Sequence, residues 1–279
     1  MIITESIQEL RALLPGLERP VGFVPTMGFL HEGHLSLVRK AKEENSSVVV
    51  SIFANPTQFA PDEDLDNYPR DIKRDLELLE AEGADLIWIP PVDVMYPDGF
   101  QTWVEVEGLS QVLEGSFRST HFRGVTTVVA KLFNAVGPER AYFGQKDAQQ
   151  AVVIQQMVKD LNFPIEIVVC PIIREVDGLA MSSRNTYLDP DQRLAALCLS
   201  RGLFLARDAF LAGERNAENL REIVQDEVKN ETLAELQYVS CSDPGRLVEL
   251  EGEVESCLIS MAVFVGKTRL IDNVLLGTD

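Results

Sequence analysis

Two of the chain's three histidines lie three residues apart in the stretch PTMGFLHEGHLSL, Pro25 to Leu37. Imidazoles so placed can ligate a metal, transfer a proton, donate hydrogen bonds to phosphate, or simply occupy a turn. Gly28 and Gly33 permit a close approach of backbone to a ligand, and His34 begins a predicted helix whose exposed N–H groups favour an anion. The pattern favours a phosphate site that includes His31 and His34, with a structural turn as the alternative.

A zinc site is the weaker interpretation of the same two histidines. In the H-E-x-x-H motif the histidines are four residues apart on one helix. Here they are three residues apart across a loop-to-helix junction, and the sequence offers no evident third ligand.

Three further segments carry polar side chains that suit a nucleotide or a small acid. GQKDAQQ places Lys146, which can reach phosphate, beside Asp147, which can accept from ribose hydroxyls; an N-cap aspartate next to a solvated lysine is the alternative. MSSR, Met181 to Arg184, offers two hydroxyls and a guanidinium to one anion, although Ser-Ser-Arg is also common in ordinary loops. NPTQF supplies Gln58, whose uncharged amide can donate and accept hydrogen bonds with a small substrate. The alternative is that Gln58 is a loop glutamine whose hydrogen bonds are made within the protein.

Short apolar, β-branched runs alternate with helical patterns in the first part of the chain. The predicted strands cover residues 22–26, 46–54, 84–90, 140–145 and 165–173. The predicted helices cover residues 34–44 and 69–82, then FRGVTTVVAKLFNAVG and AQQAVVIQQMVKDLNF, and a hairpin-like segment, TWVEVEG, precedes the third helix. Near-continuous apolar strands separated by helices predict an α/β fold, a doubly wound, Rossmann-like parallel sheet covered on both faces. Ligands bind such sheets beyond the carboxyl ends of the strands, and all four polar segments follow predicted strands.

After Arg184 the pattern changes to helices followed by strands. We predict a long helix from near Pro190, a second helix at 216–229, and strands at 236–243, 255–266 and 268–276. This order predicts a separate, smaller α+β domain. The predicted organisation is therefore a Rossmann-like domain at residues 1–176 and a smaller α+β domain at residues 177–279.

Composition narrows the classes of partner and compartment. The net charge of −19 argues against general binding to nucleic acids or to anionic membranes, because these partners bind to basic surfaces. No apolar run approaches the roughly 20 residues that span a bilayer, and the N-terminus does not resemble a signal peptide. The four cysteines are far apart in sequence and lack a C-x-x-C pair, which predicts buried free thiols. We expect a soluble, cytoplasmic protein.

The order of five segments along the chain resembles one enzyme family. The segments HxGH, NPTQF, HFRGV, FGQKDAQQ and DGLAMSSRN are together similar to those of the pantoate-beta-alanine ligases, or pantothenate synthetases, from about Met1 to the C-terminus. HxGH and MSSR alone resemble the HIGH and KMSKS signatures of the class I aminoacyl-tRNA synthetase and nucleotidyltransferase superfamily. The resemblance implies that ATP and pantoate form pantoyl adenylate and pyrophosphate, after which β-alanine attacks the acyl carbon to give pantothenate and AMP. It also implies that residues 1–176 bind the nucleotide and pantoate and that residues 177–279 form a lid domain. Mg²⁺ is expected with ATP, and the large domains are expected to form a homodimer.

The resemblance further implies roles for individual residues. His34 holds the family's proton-donor position, although we favour stabilisation of charge by hydrogen bonding, and His31 and Lys146 assist at the phosphates. Gln58 and Gln150 match the glutamines that bind pantoate, and Gln58 also borders the β-alanine position. Asp75 is a candidate to contact the metal. The residues implied in ATP binding are Pro25, Thr26, Met27, Gly28, His31, Gly33, His34, Gly144, Gln145, Lys146, Asp147, Ile173, Met181, Ser182, Ser183 and Arg184.

The sequence departs from the family's pattern at one position, contains one motif residue without a role, and leaves two other functions to consider. Gln145 stands where many relatives have glutamate, which removes a negative charge beside Lys146, and Arg123 in HFRGV has no assigned role. One rival is an adenylyl-transferring enzyme of the same superfamily that acts on a phosphorylated metabolite, which would need extra basic residues near NPTQF. The other is a non-catalytic nucleotide sensor, which would have lost some of the motif residues that this chain retains.

Overall fold

The computed structural model describes residues 1–61 and 63–277. The chain divides into two compact units that interleave along the sequence. The first unit consists of residues 1–111, 115–144 and 150–171, and the second of residues 112–114, 145–149 and those from 172 onward. The boundary expected between residues 176 and 177 stays a prediction, and the last two residues of that predicted domain lie outside the described residues.

The first unit is built on a six-stranded parallel sheet, as the sequence predicts. The strands are β1 (Ile2–Thr4), β2 (Val21–Thr26), β3 (Ser47–Ile52), β4 (Leu86–Trp88), β5 (Arg140–Gly144) and β6 (Glu166–Cys170). The chain passes from β2 outward through β3 and β4 on one side, and through β5 and β6 on the other, in the spatial order β1-β4-β3-β2-β5-β6. The strand order therefore reverses between β2 and β5, which is the place where doubly wound sheets bind ligands.

Helices cover both faces of this sheet. The helices are α1 (Ile7–Leu13), α2 (Glu32–Glu44), α3 (Ile72–Ala81), α4 (Val92–Met95), α5 (Glu114–Phe117), α6 (His121–Val136) and α7 (Ala148–Asp160), of which α5 and α7 begin in second-unit segments. Successive strand residues point to opposite faces. Phe23 and Val49 accordingly pack in the core that includes α6, whereas their neighbours Val24 and Val50 pack in the core that includes α2.

The second unit is an α+β unit with its own core. It contains α8 (Pro190–Ala195), α9 (Leu197–Leu211), α10 (Ala217–Lys229) and an antiparallel sheet of β7 (Ala234–Ser242), β8 (Cys257–Val265) and β9 (Thr268–Leu276). The apolar faces of α9 and α10 pack with residues of this sheet. Within the described residues, no helix of either unit is long and apolar enough to cross a membrane.

Several element boundaries differ from the predicted ones for local reasons. Helix α3 begins at Ile72, not Pro69, because the Asp71 side chain accepts from the Arg74 N–H and caps it. TWVEVEG forms no strand; instead Val104 N–H donates to Thr127 Oγ1 at 3.0 Å, and its carbonyl accepts from Thr126 Oγ1 at 2.6 Å. Side chains of α6 thus replace a partner strand. The helix predicted from Pro190 is two helices, and β1 and α1 were not predicted.

Candidate active site

The turn after β2 requires glycine at its centre. Thr26 Oγ1 donates to the Ser51 carbonyl at 2.8 Å and accepts from the Gly28 N–H at 3.2 Å. Gly28 has a φ of 84°, and a Cβ there would lie 3.0 Å from Ile52 Cγ2 and 3.2 Å from Asp75 Oδ2. The positive φ and the crowded site both favour a residue without a side chain.

Asp75 holds the next part of this turn. Its fully buried carboxylate accepts from the N–H groups of Phe29 and Leu30, each at 2.7 Å, and Phe29 adopts a φ of 51°. Burial raises the pKa of Asp75, although these two hydrogen bonds oppose the shift. Both oxygens therefore have a structural role in placing the chain just before His31. The contact of Asp75 with a metal stays a prediction.

His31 and His34 form a reciprocal cap at the start of α2, which begins at Glu32 and not at His34. His31 Nδ1 accepts from the Gly33 N–H at 3.1 Å, and His34 Nδ1 accepts from the His31 N–H at 3.3 Å. The ring centroids are 4.1 Å apart. A nitrogen that accepts carries no proton, so these bonds assign the proton of each neutral ring to Nε2. The predicted phosphate-binding histidines are thus a pair of Nε2–H donors held by a reciprocal cap at a helix N-terminus.

Gln58 lies in the 3-10 helix Pro56–Gln58, which follows β3. Its Oε1 accepts from Asn55 Nδ2 at 3.1 Å, and its Nε2 donates to Met27 Sδ at 3.0 Å, so the structure brings two predicted site residues into contact. Asn55 Nδ2 also donates to the Gly124 carbonyl on α6 at 3.1 Å. The amide of Gln58 is therefore oriented by Asn55 and by the packing of α6. Gln150, the other predicted pantoate ligand, lies half-buried in the first turn of α7.

A charged network next to Gln58 was not predicted from the sequence. Arg118 pairs with both carboxylate oxygens of Glu63 at 2.6 Å and lies 3.2 Å from His121 Nε2. His121 Nδ1 lies 2.8 Å from the Gln58 carbonyl, which fits a donated hydrogen bond. Burial raises the pKa of Glu63, but the hydrogen bonds and charge of Arg118 outweigh it, and the net shift is downward. His121 lies within HFRGV, but only the tertiary structure places Arg118 and Glu63 in one network with it.

The predicted nucleotide segment after β5 belongs to the second unit from Gln145 onward, whereas Gly144 ends β5 in the first. Gln145–Asp147 forms a 3-10 helix. Lys146 Nζ lies 3.9 Å from Asp147 Oδ1, and its side chain is 20% exposed. The lysine side chain is therefore mostly enclosed, which limits the number of positions that its ammonium group can take.

The segment from Ile173 to Arg184 is also part of the second unit. The Ile173 carbonyl accepts from the Met181 N–H at 3.0 Å, which brings two predicted ATP-binding residues together. Ser182 caps the 3-10 helix Ser183–Tyr187, with its Oγ accepting from the Arg184 N–H at 3.2 Å. Ser183 is buried. A capped turn that carries serine hydroxyls and a guanidinium suits recognition of a polyphosphate.

Comparisons with known proteins agree on one family. The family model of pantoate-beta-alanine ligase matches residues 2–275. A pantothenate synthetase from Herpetosiphon aurantiacus is 55% identical over 277 residues, which cover 99% of this chain and 100% of that protein. A second from Thermoanaerobacter sp. is 54% identical over 280 residues and covers 99% of each chain.

Solved structures agree with the sequence relatives. The pantothenate synthetase of Thermus thermophilus is 46% identical, with a TM-score of 0.94 over 98% of this chain and 99% of that one. The pantoate-beta-alanine ligase of Francisella tularensis, complexed with beta-gamma ATP and beta-alanine, is 36% identical, with a TM-score of 0.81 over 100% of this chain and 99% of that one.

Proposed function

We propose a residue-level mechanism for this chain, which belongs to the pantoate-beta-alanine ligase family and catalyses the ATP-dependent condensation of pantoate with β-alanine. The observation that carries the proposal is the reciprocal cap of His31 and His34, which orients two Nε2–H donors at the N-terminus of α2. The cap lies after β2, one of the two strands that flank the reversal of strand order. Donors at a helix N-terminus suit a phosphoryl group that gains negative charge.

In the first step, a carboxylate oxygen of pantoate attacks the α-phosphorus of ATP. A new phosphorus–oxygen bond forms, the bond between the α-phosphorus and its bridging oxygen breaks, and pyrophosphate leaves with the negative charge. We assign His34 Nε2–H, with His31 beside it, to stabilise the charge that accumulates on the phosphoryl oxygens. The accepting role of His34 Nδ1 within the cap favours a neutral ring that donates a hydrogen bond over an imidazolium that gives up a proton.

In the second step, the amine of β-alanine attacks the acyl carbon of pantoyl adenylate. The new carbon–nitrogen bond forms, the bond from the acyl carbon to the phosphate oxygen breaks, AMP leaves, and the amine nitrogen releases a proton. Gln58 and Gln150 are proposed to hold pantoate in both steps. Their neutrality is suited to the chemistry, because a tight ion pair with the carboxylate would stabilise the ground state before attack.

The triphosphate is assigned to Lys146 and the segment Ser182–Arg184, with Gly144 and Asp147 near the ribose and Ile173 near the adenine. Mg²⁺ is proposed to enter with ATP, where it would neutralise phosphate charge. Among residues 1–61 and 63–277, no three His, Cys, Asp or Glu side chains are grouped so that they could hold a metal ion. We propose that the metal is held mainly by phosphate oxygens and water, as Mg²⁺ commonly is.

We also propose an oligomeric state and a cellular location. A homodimer formed by the large domains rests on the family resemblance, and light scattering should give twice the mass of one chain. A cytoplasmic location is supported by four buried free cysteines, which suit a reducing compartment.

The mechanism is tested by supplying the substrates one at a time. Purified protein with ATP and Mg²⁺ should exchange labelled pyrophosphate into ATP only when pantoate is added, and should release AMP steadily only when β-alanine is also present. Exchange without pantoate would point to another adenylyl acceptor, and no AMP with all substrates would point to a nucleotide sensor.

A phosphorylated acceptor is disfavoured by the charges around Gln58. Such a substrate would need a cation beside this residue that is available to bind its phosphate. Arg118 Nη2 lies 3.4 Å from the Gln58 carbonyl, but the carboxylate of Glu63 already neutralises that guanidinium. The surroundings of Gln58 therefore suit a small acid such as pantoate better than a phosphate ester.

A further inference from the structure

Asn273, on the C-terminal strand β9, binds the segment that carries Lys146. Its side chain is 2% exposed and makes three hydrogen bonds to that segment. Asn273 Nδ2 donates to the carbonyls of Gln145 at 3.0 Å and Lys146 at 2.9 Å, and its Oδ1 accepts from Gln145 Nε2 at 3.0 Å. One buried amide thus fixes the backbone on both sides of the Lys146 side chain.

The preceding residue, Asp272, binds the other segment assigned to ATP. Its carboxylate is 1% exposed and forms a two-point ion pair with Arg174, from Nη1 at 2.6 Å and from Nη2 at 2.9 Å. Arg174 Nη1 also donates to the Gly178 carbonyl at 3.1 Å, and residue 174 pairs with Ala180 in an antiparallel bridge. Asp272 therefore anchors the hairpin that leads into Met181–Arg184.

The two anchors are joined to each other. Asp272 Oδ1 accepts from the Asn273 N–H at 2.8 Å, so the same carboxylate that holds Arg174 also orients the Asn273 backbone. Strand β9 contacts both the 3-10 helix Gln145–Asp147 and the 3-10 helix Ser183–Tyr187. All of these residues lie in the second unit.

We propose that Asp272 and Asn273 are positioning residues for ATP binding, which hold the Lys146 segment and the Arg174 hairpin in one fixed arrangement. The proposal rests on the assignment of Lys146 and Ser182–Arg184 to the triphosphate. Asp272 and Asn273 are not needed simply to fill space, because apolar side chains of similar volume could fill the same buried positions and would need no polar partners. What the pair supplies is a set of directed bonds to two segments that are distant in sequence.

The chemistry of the amide distinguishes this role from packing. Asn273→Asp keeps the size of the side chain and an acceptor for Gln145 Nε2, but it removes both donors to the carbonyls of residues 145 and 146. A carboxylate facing two carbonyl oxygens should displace the segment. Displacement by about 1 Å of a group that positions a substrate can cost on the order of 100-fold in rate.

The test compares Asn273→Asp, Asn273→Ala and Asp272→Asn in the full-length enzyme by steady-state kinetics. We expect the KM for ATP to rise about 10- to 100-fold. The KM values for pantoate and β-alanine should stay within about 2-fold of the wild-type values, because the lost interactions affect only the nucleotide. The reaction of preformed pantoyl adenylate with β-alanine should keep its normal rate, because it needs no triphosphate contact. Leu270→Ala is the matched control: it removes core packing from the same strand, and it should lower the melting temperature without raising the KM for ATP.

A double-mutant cycle with Lys146→Ala shows whether Asn273 acts through that lysine. If it does, Asn273→Ala should have little further effect on the KM for ATP once Lys146 is absent. A normal KM for ATP in folded Asn273→Asp, alongside a raised one in Lys146→Ala, would overturn the positioning role alone. A normal KM for ATP in Lys146→Ala would overturn the assignment of Lys146 and the positioning role with it. Equal rises in the Leu270→Ala control would show that loss of stability, not positioning, is the cause.

Discussion

Replacing Gly124 by alanine should impair pantoate binding without altering Gln58, the side chain proposed to bind pantoate. Gly124 lies in α6 where the helix passes the 3-10 helix that carries Gln58. A Cβ at this position would lie 2.4 Å from the Thr57 carbonyl oxygen, 2.6 Å from the Thr57 carbonyl carbon and 2.7 Å from the Gln58 backbone nitrogen. All three atoms belong to the backbone, so no side-chain rotation can relieve the clash.

The size of the effect follows from these distances. Ordinary contact begins near 3.4 Å, so the Thr57 carbonyl must retreat from the new methyl group by about 1 Å. Overpacking of this kind costs about 1–3 kcal/mol of stability. A shift of about 1 Å in Gln58 should lower kcat/KM for pantoate on the order of 100-fold, or about 2.7 kcal/mol of transition-state stabilisation.

The assay is AMP formation with pantoate varied at saturating ATP, and then with ATP varied at saturating pantoate. We expect the loss mainly in kcat/KM for pantoate, with the KM for ATP close to normal. Gly16→Ala is the control glycine, since a Cβ there has no neighbour within 4 Å and should change neither kinetics nor stability. If Gly124→Ala binds pantoate normally and Gln58→Ala does not, contact with α6 does not set the position of Gln58. If both bind pantoate normally, Gln58 is not a pantoate ligand.

Three other perturbations probe the site. His34→Ala should retain the fold, lose about 1 kcal/mol of capping energy, and exchange pyrophosphate into ATP far more slowly; a near-normal exchange rate would refute its role in adenylate formation. Since the net effect of burial and of the Arg118 ion pair is to lower the pKa of Glu63, its stabilisation is present above its ordinary pKa of 4.5 and is lost as the pH falls through the folded-state value. The stability difference between wild type and Glu63→Gln in urea should therefore shrink as the pH falls below 4.5, and a difference that is constant with pH would contradict this. Chelation with EDTA should abolish AMP formation until Mg²⁺ is restored in excess, and full activity with excess chelator would exclude the proposed Mg²⁺ requirement.

Secondary structure was predictable wherever burial is repeated along the chain. Strand β3 is buried at every residue and α6 has a wide apolar face, so both leave a recognisable pattern in the sequence. Strand β1 was missed because it has only three residues, two of which are exposed at the edge of the sheet. The break between α8 and α9 was missed because apolar residues continue through Ala196 without a glycine or proline.

Within the candidate site, the residue types could be predicted from the sequence, but the contacts that position them could not. The segments that contain His34, Gln58, Lys146 and Ser182–Arg184 stand out in the sequence, because glycines, hydroxyls and cations follow apolar strands. Nothing in that pattern shows that Asp75 would hold the turn before His31. The hydrogen bond from the Leu30 N–H to Asp75 joins residues that are 45 positions apart in the sequence.

The sequence by itself determined the fold class, the family and the residues available for chemistry, because these depend on local periodicity and on motifs read in order. Only the tertiary structure decided which nitrogens of His31 and His34 accept hydrogen bonds within the cap, which network surrounds Gln58, and that Asn273 holds the backbone of Lys146 from 127 residues away. These features depend on hydrogen bonds between side chains and distant backbone groups. Such bonds are directional and few, and they leave no repeating pattern in the order of the amino acids.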